Sequence, residues 1–177
     1  MTAVAAGTVI IGVGNRYRGD DGVGIFVANG LRDLNSRNVR VLELRGEGAA
    51  ILEAFKEAAE LILVDASQTG APPGTIHCFD AGANEIPAES FRCSSHSFGV
   101  AEAIELARAL GQLPPHAIVY GIEAENFAPS AQLAPAVEQA ANRLVAQVRQ
   151  ELQGRLRPEY SDATGAMKDR ASATSRS

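Results

Sequence analysis

The sequence predicts an α/β protein, a three-layer sandwich in which helices cover both faces of a mostly parallel, twisted sheet. Segments with strand-like and helix-like apolar patterns follow one another in the order β-α-β-α-β-β-α-β-α. One short run, Leu61–Val64, is wholly apolar, as expected for a central parallel strand that is buried on both faces. The 177 residues are also enough to bury one sizeable core.

The first half of the chain is predicted to form two strand–helix units around a glycine-rich loop. Thr8–Val13 is an apolar run that ends at glycines, which predicts a buried first strand followed by a loop. Apolar residues then recur at helical spacing over about Gly22–Leu34, which predicts an amphipathic helix. After a turn, Val39–Leu44 is predicted to be a strand and Ala50–Phe55 marks a second helix.

The second half is predicted to add three strands and two helices. Leu61–Val64 is the central strand, and Thr75–Phe79 is a strand that either forms a hairpin with its neighbour or lies at an edge. His116–Ile122 is another strand, and the last helix begins near Pro135. The helix before His116 follows several serines, one of which can cap it. The apolar positions of that helix are Val100, Ile104, Leu106 and Leu110.

Composition and charge exclude several classes of function. The formal net charge of −5 gives no reason to expect nucleic acid or an anionic membrane as a partner. No apolar run is long enough to span a membrane, and no signal segment opens the chain. Cys78 and Cys93 are too few for a disulfide framework or a zinc ribbon, which favours a reducing cytoplasm. We expect residues 1–153 to form a single domain and residues 154–177, which have almost nothing to bury, to be a disordered tail.

Two adjacent carboxylates, Asp20 and Asp21, follow the first strand, where open α/β sheets usually bind ligands. The glycines before them, with Glu43 near the end of the second strand, imitate a dinucleotide-binding pattern. The third glycine comes two residues late, however, and two carboxylates near a helix N-terminus would repel a pyrophosphate. Aspartate at the start of a helix commonly caps it. We assign that structural role to Asp20 and place Asp21 in the site.

Asp65 and His96 are predicted to converge on Asp21. Asp65 ends the central strand and therefore lies at the same carboxyl edge, while His96 precedes the N-terminus of a helix. Each residue taken alone is more often a structural or surface group. Together, two carboxylates and an imidazole suit a divalent transition metal, because imidazole favours nickel or zinc over magnesium. An open coordination position would suit a catalytic or transient site.

Five short motifs occur in order along the chain. They are Gly12-Val13-Gly14-Asn15, Gly19-Asp20-Asp21-Gly22-Val23-Gly24, Val64-Asp65-Ala66, Pro73-Gly74-Thr75 and Ser95-His96-Ser97-Phe98-Gly99. Over about Val9–Ala124, this series resembles the nickel–iron hydrogenase maturation endopeptidases. The two glycine-rich motifs around Asp21 and the motif around His96 are together the most specific part of the resemblance.

The resemblance implies an endopeptidase that removes a C-terminal extension from a hydrogenase large-subunit precursor once nickel has been inserted. It implies that Asp21, Asp65 and His96 are the metal ligands and catalytic residues. The nickel is expected to arrive with the precursor, and we expect the protein to be a monomer. Asp21 is shorter than the Glu that often occupies the first ligand position. A second departure is Leu44–Gly48, where many members carry an Asp-Gly-Gly-Thr stretch that is associated with substrate choice.

The residues leave the chemistry open. A bound nickel ion would polarise the scissile carbonyl or lower the pKa of a coordinated water; alternatively, the ion serves recognition only and a carboxylate assists the attack of water. A serine hydrolase is disfavoured because the chain has no Gly-x-Ser-x-Gly elbow. A thiol nucleophile is disfavoured because Cys78 falls within an apolar strand, and Cys93 is only a candidate extra ligand. The same three ligands also suit a nickel-binding module that binds a maturation partner without cutting it.

Two further groups of residues are predicted near the site. Arg16–Arg18 either grip the precursor or form a solvated loop. Glu123–Asn126 follow a strand that ends at the same edge of the sheet, so we expect them to line a substrate groove. His77 and His116 are assigned to strands without a functional role.

Overall fold

In a computed structural model of the protein, residues 7–56, 58–91, 98–129 and 132–156 are described. Strands and helices alternate as the apolar patterns predict. The strands are β1 (Gly7–Val13), β2 (Val39–Leu44), β3 (Ala58–Ser67), β4 (Ile76–Asp80) and β5 (His116–Glu123). The α-helices are α1 (Val23–Gly30), α2 (Gly48–Phe55), α3 (Val100–Ala109) and α4 (Pro135–Leu156). Short 3₁₀ segments lie at Gly19–Gly22, Arg32–Leu34 and Ala88–Phe91.

The five strands form one sheet in the order β2-β1-β3-β5-β4. β1, β2, β3 and β5 pair in parallel, whereas β4 pairs antiparallel with β5 at the edge. This confirms the predicted α/β fold and, of the two alternatives for the Thr75–Phe79 segment, the edge position. Because the four parallel strands share a direction, their carboxyl ends meet at one edge of the sheet.

The central strand is longer than its apolar run predicts. β3 continues through Asp65 to Ser67, so Asp65 lies inside the strand and not just after it. In the parallel register, Asp65 pairs with Gly121 and Ser67 pairs with Glu123 of β5. Asp65 and Ser67 are polar and interrupt the apolar run, so a hydropathy pattern gives no signal that the strand continues.

Helices on both faces bury two separate apolar cores. Leu61 and Leu63 of β3 belong to the core under α2 and α3, whereas Ile62 and Val64 belong to the core under α1 and α4. Side chains alternate between the faces of a strand. Asp65, two residues after Leu63, is therefore on the α2–α3 face of the sheet.

Three predicted helix features are corrected by the structure. The helix expected over Gly22–Leu34 ends at Gly30 and continues as a 3₁₀ turn. The expected serine cap of α3 is wrong, because Gly99 is the N-cap and its N–H donates to the Glu102 carboxylate at 3.0 Å. Leu106 and Leu110 are exposed, because α3 packs through the smaller residues Val100, Ala101, Ala103, Ile104 and Ala107.

The last helix begins at Pro135, as predicted, but it passes the predicted domain boundary at residue 153. It continues to Leu156, and Leu152 is buried against the sheet. The prediction of a disordered tail concerns mainly residues 157–177, which lie outside the described residues. Within the described part of the chain, no helix is both long and apolar enough to cross a membrane.

Candidate active site

The loop after β1 is shaped by close backbone approaches that only glycine allows. Gly14 has a φ of 137°, and a Cβ there would lie 1.8 Å from the carbonyl oxygen of Asp21. The N–H of Asn15 donates to that same carbonyl at 3.1 Å, so the loop folds back on itself. At Gly24, a Cβ would lie 2.3 Å from the carbonyls of both Val13 and Val64. The glycines thus seat the start of α1 on β1 and β3 and bring Asp21 to the carboxyl edge.

Asp21 and Asp65 are brought together by this loop. Asp21 is 7% exposed and Asp65 is 4% exposed. Burial raises the pKa of the Asp65 carboxyl to about 8, and the negative charge of Asp21 contributes to the rise. The N–H of Ala66, which donates to Asp65 Oδ1 at 2.8 Å, opposes the shift only in part. Two carboxylates buried side by side disfavour each other's ionisation and favour a bound cation.

The third predicted ligand, His96, lies in residues 92–97, outside the described residues, as do Cys93 and the serines around it. Among the described residues, no group of three His, Cys, Asp or Glu side chains is arranged to hold a metal ion. The structure therefore brings together two of the three predicted site residues and leaves His96 a prediction.

The residues on either side of the 92–97 segment are anchored at the carboxyl edge. Phe91 packs against β5, since a Cβ on Gly121 would lie 3.2 Å from Phe91 Cε1. Gly121 is the register partner of Asp65. On the other side, the carbonyl of Phe98 accepts a hydrogen bond from the N–H of Gly48 at 3.3 Å, at the start of α2.

Asp20 has a structural role, but not the one predicted. No side chain caps the 3₁₀ turn or α1. The fully buried Asp20 carboxylate instead accepts hydrogen bonds from the N–H groups of Glu125 and Asn126, both at 2.8 Å, and of Ala134 at 2.7 Å. Asp20 therefore ties the loop after β1 to the connection between β5 and α4.

Glu123 is also structural, which makes its predicted place in a substrate groove wrong. Its buried carboxylate accepts hydrogen bonds from the N–H groups of Thr69 and Gly70 and from the hydroxyls of Thr69 and Ser67, at 2.7–3.1 Å. Burial alone would raise the pKa of Glu123, but these hydrogen bonds outweigh it and lower the pKa. His77, to which no role was assigned, lies with its Nε2 3.2 Å from this carboxylate.

The segment Glu123–Asn126 thereby connects β3, which carries Asp65, with the loop after β1, which carries Asp21. The N–H of Ala124 donates to the carbonyl of Ser67 at 3.0 Å, two residues after Asp65. The carbonyl of Asn126 accepts from the N–H of Asp20 at 2.8 Å, next to Asp21. Sequence reasoning missed this connection because it joins residues more than 50 positions apart.

The structure shows how Arg16 and Tyr17 lie in the loop, and contact of Arg16–Arg18 with a precursor stays a prediction. Arg16 pairs with Glu43 at 2.5 Å, and Arg32 engages the other oxygen of the same carboxylate. Glu43, the acidic residue of the rejected dinucleotide pattern, is thus occupied by two arginines. Tyr17 is 66% exposed.

Cys78 does not have the character of a nucleophile. It is exposed on the edge strand β4, away from the carboxyl ends of the parallel strands. Its partial burial raises the pKa of the thiol, and the nearby carboxylates of Glu151 and Asp80 add to the rise. A raised pKa disfavours the thiolate, which is the reactive form.

The chain is similar to known proteins in both sequence and structure. A family model described as hydrogenase maturation protease (HycI) matches residues 27–151, a range that includes Asp65 and His96 and begins after Asp21. The hydrogenase expression/formation protein HupD of Thiocapsa roseopersicina is 28% identical over 145 residues, which are 75% of this chain and 65% of that protein. The hydrogenase 2 maturation protease of Escherichia coli is 27% identical over 135 residues, 73% of this chain and 80% of that protein.

Solved structures show the same fold. The hydrogenase maturating endopeptidase HybD of Escherichia coli superposes with a TM-score of 0.68 at 24% identity, covering 84% of this chain and 93% of that one. The hydrogenase maturation protease HycI of Thermococcus kodakarensis gives 0.64 at 23% identity, with the same coverage.

The fold and the site together define an open α/β protein with a buried acidic pair at the carboxyl edge of its sheet. Because the family model covers more than half of the 177 residues, the chain belongs to the hydrogenase maturation protease family.

Proposed function

We propose that this protein is an endopeptidase that removes the C-terminal extension of a nickel-containing hydrogenase large-subunit precursor after nickel insertion. The observation that carries the proposal is the buried pair Asp21 and Asp65, brought together at the carboxyl edge in a chain of the maturation protease family. The precursor is the partner, and its nickel ion is part of the substrate.

Asp21 and Asp65 would supply two oxygen ligands to the nickel ion of the precursor. The raised pKa of Asp65 supports this role, because burial and the negative charge of Asp21 disfavour its ionised form, which a divalent cation would stabilise. His96 would supply a nitrogen ligand. Its assignment depends on the family motif and is supported by Phe91, which contacts the strand beside Asp65.

The reaction is a hydrolysis in which water adds to the scissile carbonyl, the C–N bond breaks, and a carboxylic acid and an amine leave. Nickel can polarise the carbonyl or lower the pKa of a bound water. The ligands of this chain would position the precursor so that the scissile bond lies at the carboxyl edge. In the alternative route, the nickel ion serves recognition only, and a carboxylate takes the proton of the attacking water.

The setting of the reaction completes the proposal. We expect the enzyme to act in the cytoplasm, as its two cysteines favour. We expect it to act as a monomer, without nucleic acid or a membrane surface, in keeping with the net charge of −5.

The intact mass of the nickel-loaded precursor, before and after mixing with the protein, tests the proposal. Wild type is expected to release one discrete C-terminal peptide, and His96→Ala is expected to release none. His116→Ala is the matched control, because His116 is exposed at the opposite end of β5 and should process normally.

One outcome would contradict the endopeptidase, and another would contradict only the role of His96. If wild type binds the precursor and the mass does not change, the non-proteolytic nickel-binding module takes its place for that client. If His96→Ala still cuts, the assignment of the third ligand fails while the activity stands.

A further inference from the structure

A cavity of about 430 Å³ opens on the α1 side of the loop that carries Asp21. Gly19 and Gly22, which flank Asp20 and Asp21, form one of its walls. The cavity is therefore continuous with the backbone of the candidate active site. Its volume is within the range of about 300–1,000 Å³ that is typical of sites for small ligands, so it has room for only a few residues of an extended peptide.

The walls of the cavity combine an apolar floor with a polar rim. Ile25, Phe26 and Leu133 provide the apolar surface. Phe26 and Leu133 are only partly buried, although both pack on the edge of the α1–α4 core. Arg16, Asn29 and Gln132 also line the cavity and can bond to a peptide backbone or a carboxylate. An apolar floor with a few polar groups is typical of a specific binding site.

Arg16 is the one charged residue among those that line the cavity. Arg16 shares the single carboxylate of Glu43 with Arg32, so its charge is only partly neutralised. An arginine beside an apolar floor complements an apolar side chain that has a carboxylate close to it.

We propose that this cavity binds the C-terminal extension of the precursor, taking an apolar side chain between Phe26 and Leu133 and an acidic side chain at Arg16. The proposal rests on the proposed function. The extension is favoured over the folded body of the client because a side chain from a flexible segment can enter a recess of this size. Binding there would hold the chain on one side of the scissile bond beside Asp21.

Photo-crosslinking from Tyr17 tests which part of the client occupies the cavity. Tyr17 lines the cavity and is 66% exposed, so Tyr17→p-benzoylphenylalanine should fold normally. The variant is irradiated together with nickel-loaded precursor, and the product is digested. We expect peptides of the extension to be crosslinked to position 17. The same substitution at Leu110, which is 56% exposed at the C-cap of α3, is the control and should carry no such peptides. Crosslinks to the body of the large subunit, or none at all, would overturn the proposal.

Steady-state kinetics test the two recognition elements. Phe26→Ala is expected to raise KM for the precursor about tenfold with little change in kcat, because it removes binding that ground state and transition state share. Arg16→Gln should raise KM about three- to fivefold. Arg32→Gln, which also removes one arginine from Glu43 but lies outside the cavity, should change KM less than about twofold.

The two proposals fail in different ways. Crosslinking to an extension that wild type does not cut would overturn the endopeptidase and leave the cavity assignment standing. If Phe26→Ala and Arg16→Gln both cut normally with an unchanged KM, the cavity is not the binding site of the extension, and the endopeptidase proposal still stands. If Phe26→Ala unfolds at a lower temperature than wild type, the KM of Arg16→Gln and the crosslink from Tyr17 still test whether the cavity binds the extension.

Discussion

Two pairs of buried carboxylates, Asp20 with Glu123 and Asp21 with Asp65, lie at the same edge of this sheet, and Asp65 receives fewer hydrogen bonds from the described residues than Asp20 or Glu123. Asp20 accepts three backbone N–H groups, and Glu123 accepts two backbone N–H groups and two hydroxyls. Asp65 accepts one backbone N–H among the described residues and has Asp21 as a negative neighbour.

Hydrogen-bond donors distinguish Glu123 from Asp65. Both Glu123 and Asp65 are nearly inaccessible to water. The donors around Glu123 lower its pKa, whereas burial raises the pKa of Asp65 to about 8. A carboxylate whose charge is already satisfied holds the fold together. One that receives few donors, such as Asp65, is available for a cation or a proton, as expected of a functional site.

The largest expected effect is on activity, from Asp65→Asn. Loss of an outer-sphere partner of a metal ligand usually lowers metal affinity or activity about 10–100-fold. Loss of a ligand itself should lower the activity more than about 100-fold. The variant should nevertheless fold, since it removes an uncompensated buried acid. Single-turnover processing of the precursor, followed by intact mass, measures the activity of the variant. Thermal unfolding measures whether it folds. If the variant is inactive because it is unfolded, Asp65 has a structural role like that of Asp20 and Glu123.

Asp20→Asn should have the opposite signature, a loss of stability. An amide NH₂ would face backbone N–H groups that now donate to a carboxylate, and we expect the free energy of unfolding to fall by about 3 kcal/mol. Urea denaturation measures the change. Asp80→Asn is the matched control, because Asp80 is exposed and accepts one N–H, from Ala83 at 3.1 Å. A loss of less than about 1 kcal/mol is expected there. Equal losses at both positions would contradict the structural role of Asp20.

Glu123→Gln should lower stability by about 2 kcal/mol at neutral pH, where the carboxylate accepts its full set of hydrogen bonds. The folded pKa is lowered, so this contribution is fully present above the ordinary pKa of 4.5 and is lost as the pH falls through the folded pKa. The stability curves of wild type and variant should therefore converge in acid. Denaturation over pH 3–8 tests this, and a constant gap would show that the charge of Glu123 is not the source.

The sequence predicted the order of strands and helices because each depends on a local apolar pattern. Val39–Leu44 was predicted with the bounds that it has. The roles of Asp20 and Glu123 were not predictable in detail, because their donors come from distant segments that only the folded sheet brings near. Leu106 and Leu110 were assigned to the core because helical spacing marks apolar residues without showing that the neighbouring helix approaches through alanines.

The separation of Asp20 from Asp21 shows what sequence can say of the candidate site. Adjacent residues in a 3₁₀ turn project in different directions, and the family resemblance, more than the spacing, assigned Asp21 to the metal. The juxtaposition of Asp21 and Asp65 followed from the rule that parallel strands end at one edge. The sequence did not indicate the pKa of Asp65, which depends on the burial that the whole fold creates.

Asp65 should also give stability a pH dependence, opposite in sign to that from Glu123. The folded pKa of about 8 is above the ordinary value of 3.8, so the folded state holds the proton more tightly. Relative to Asp65→Asn, wild type should be most stable below pH 3.8 and should lose stability as the pH rises through 8. Over pH 5–7 the slope should approach about 1 kcal/mol per pH unit. Urea denaturation at several pH values measures this slope. The buffer contains EDTA, because a bound cation would stabilise the ionised carboxylate and remove the pH dependence. A curve parallel to that of Asp65→Asn would mean that Asp65 is ionised and satisfied in the folded protein, and the contrast between the two pairs of carboxylates would disappear.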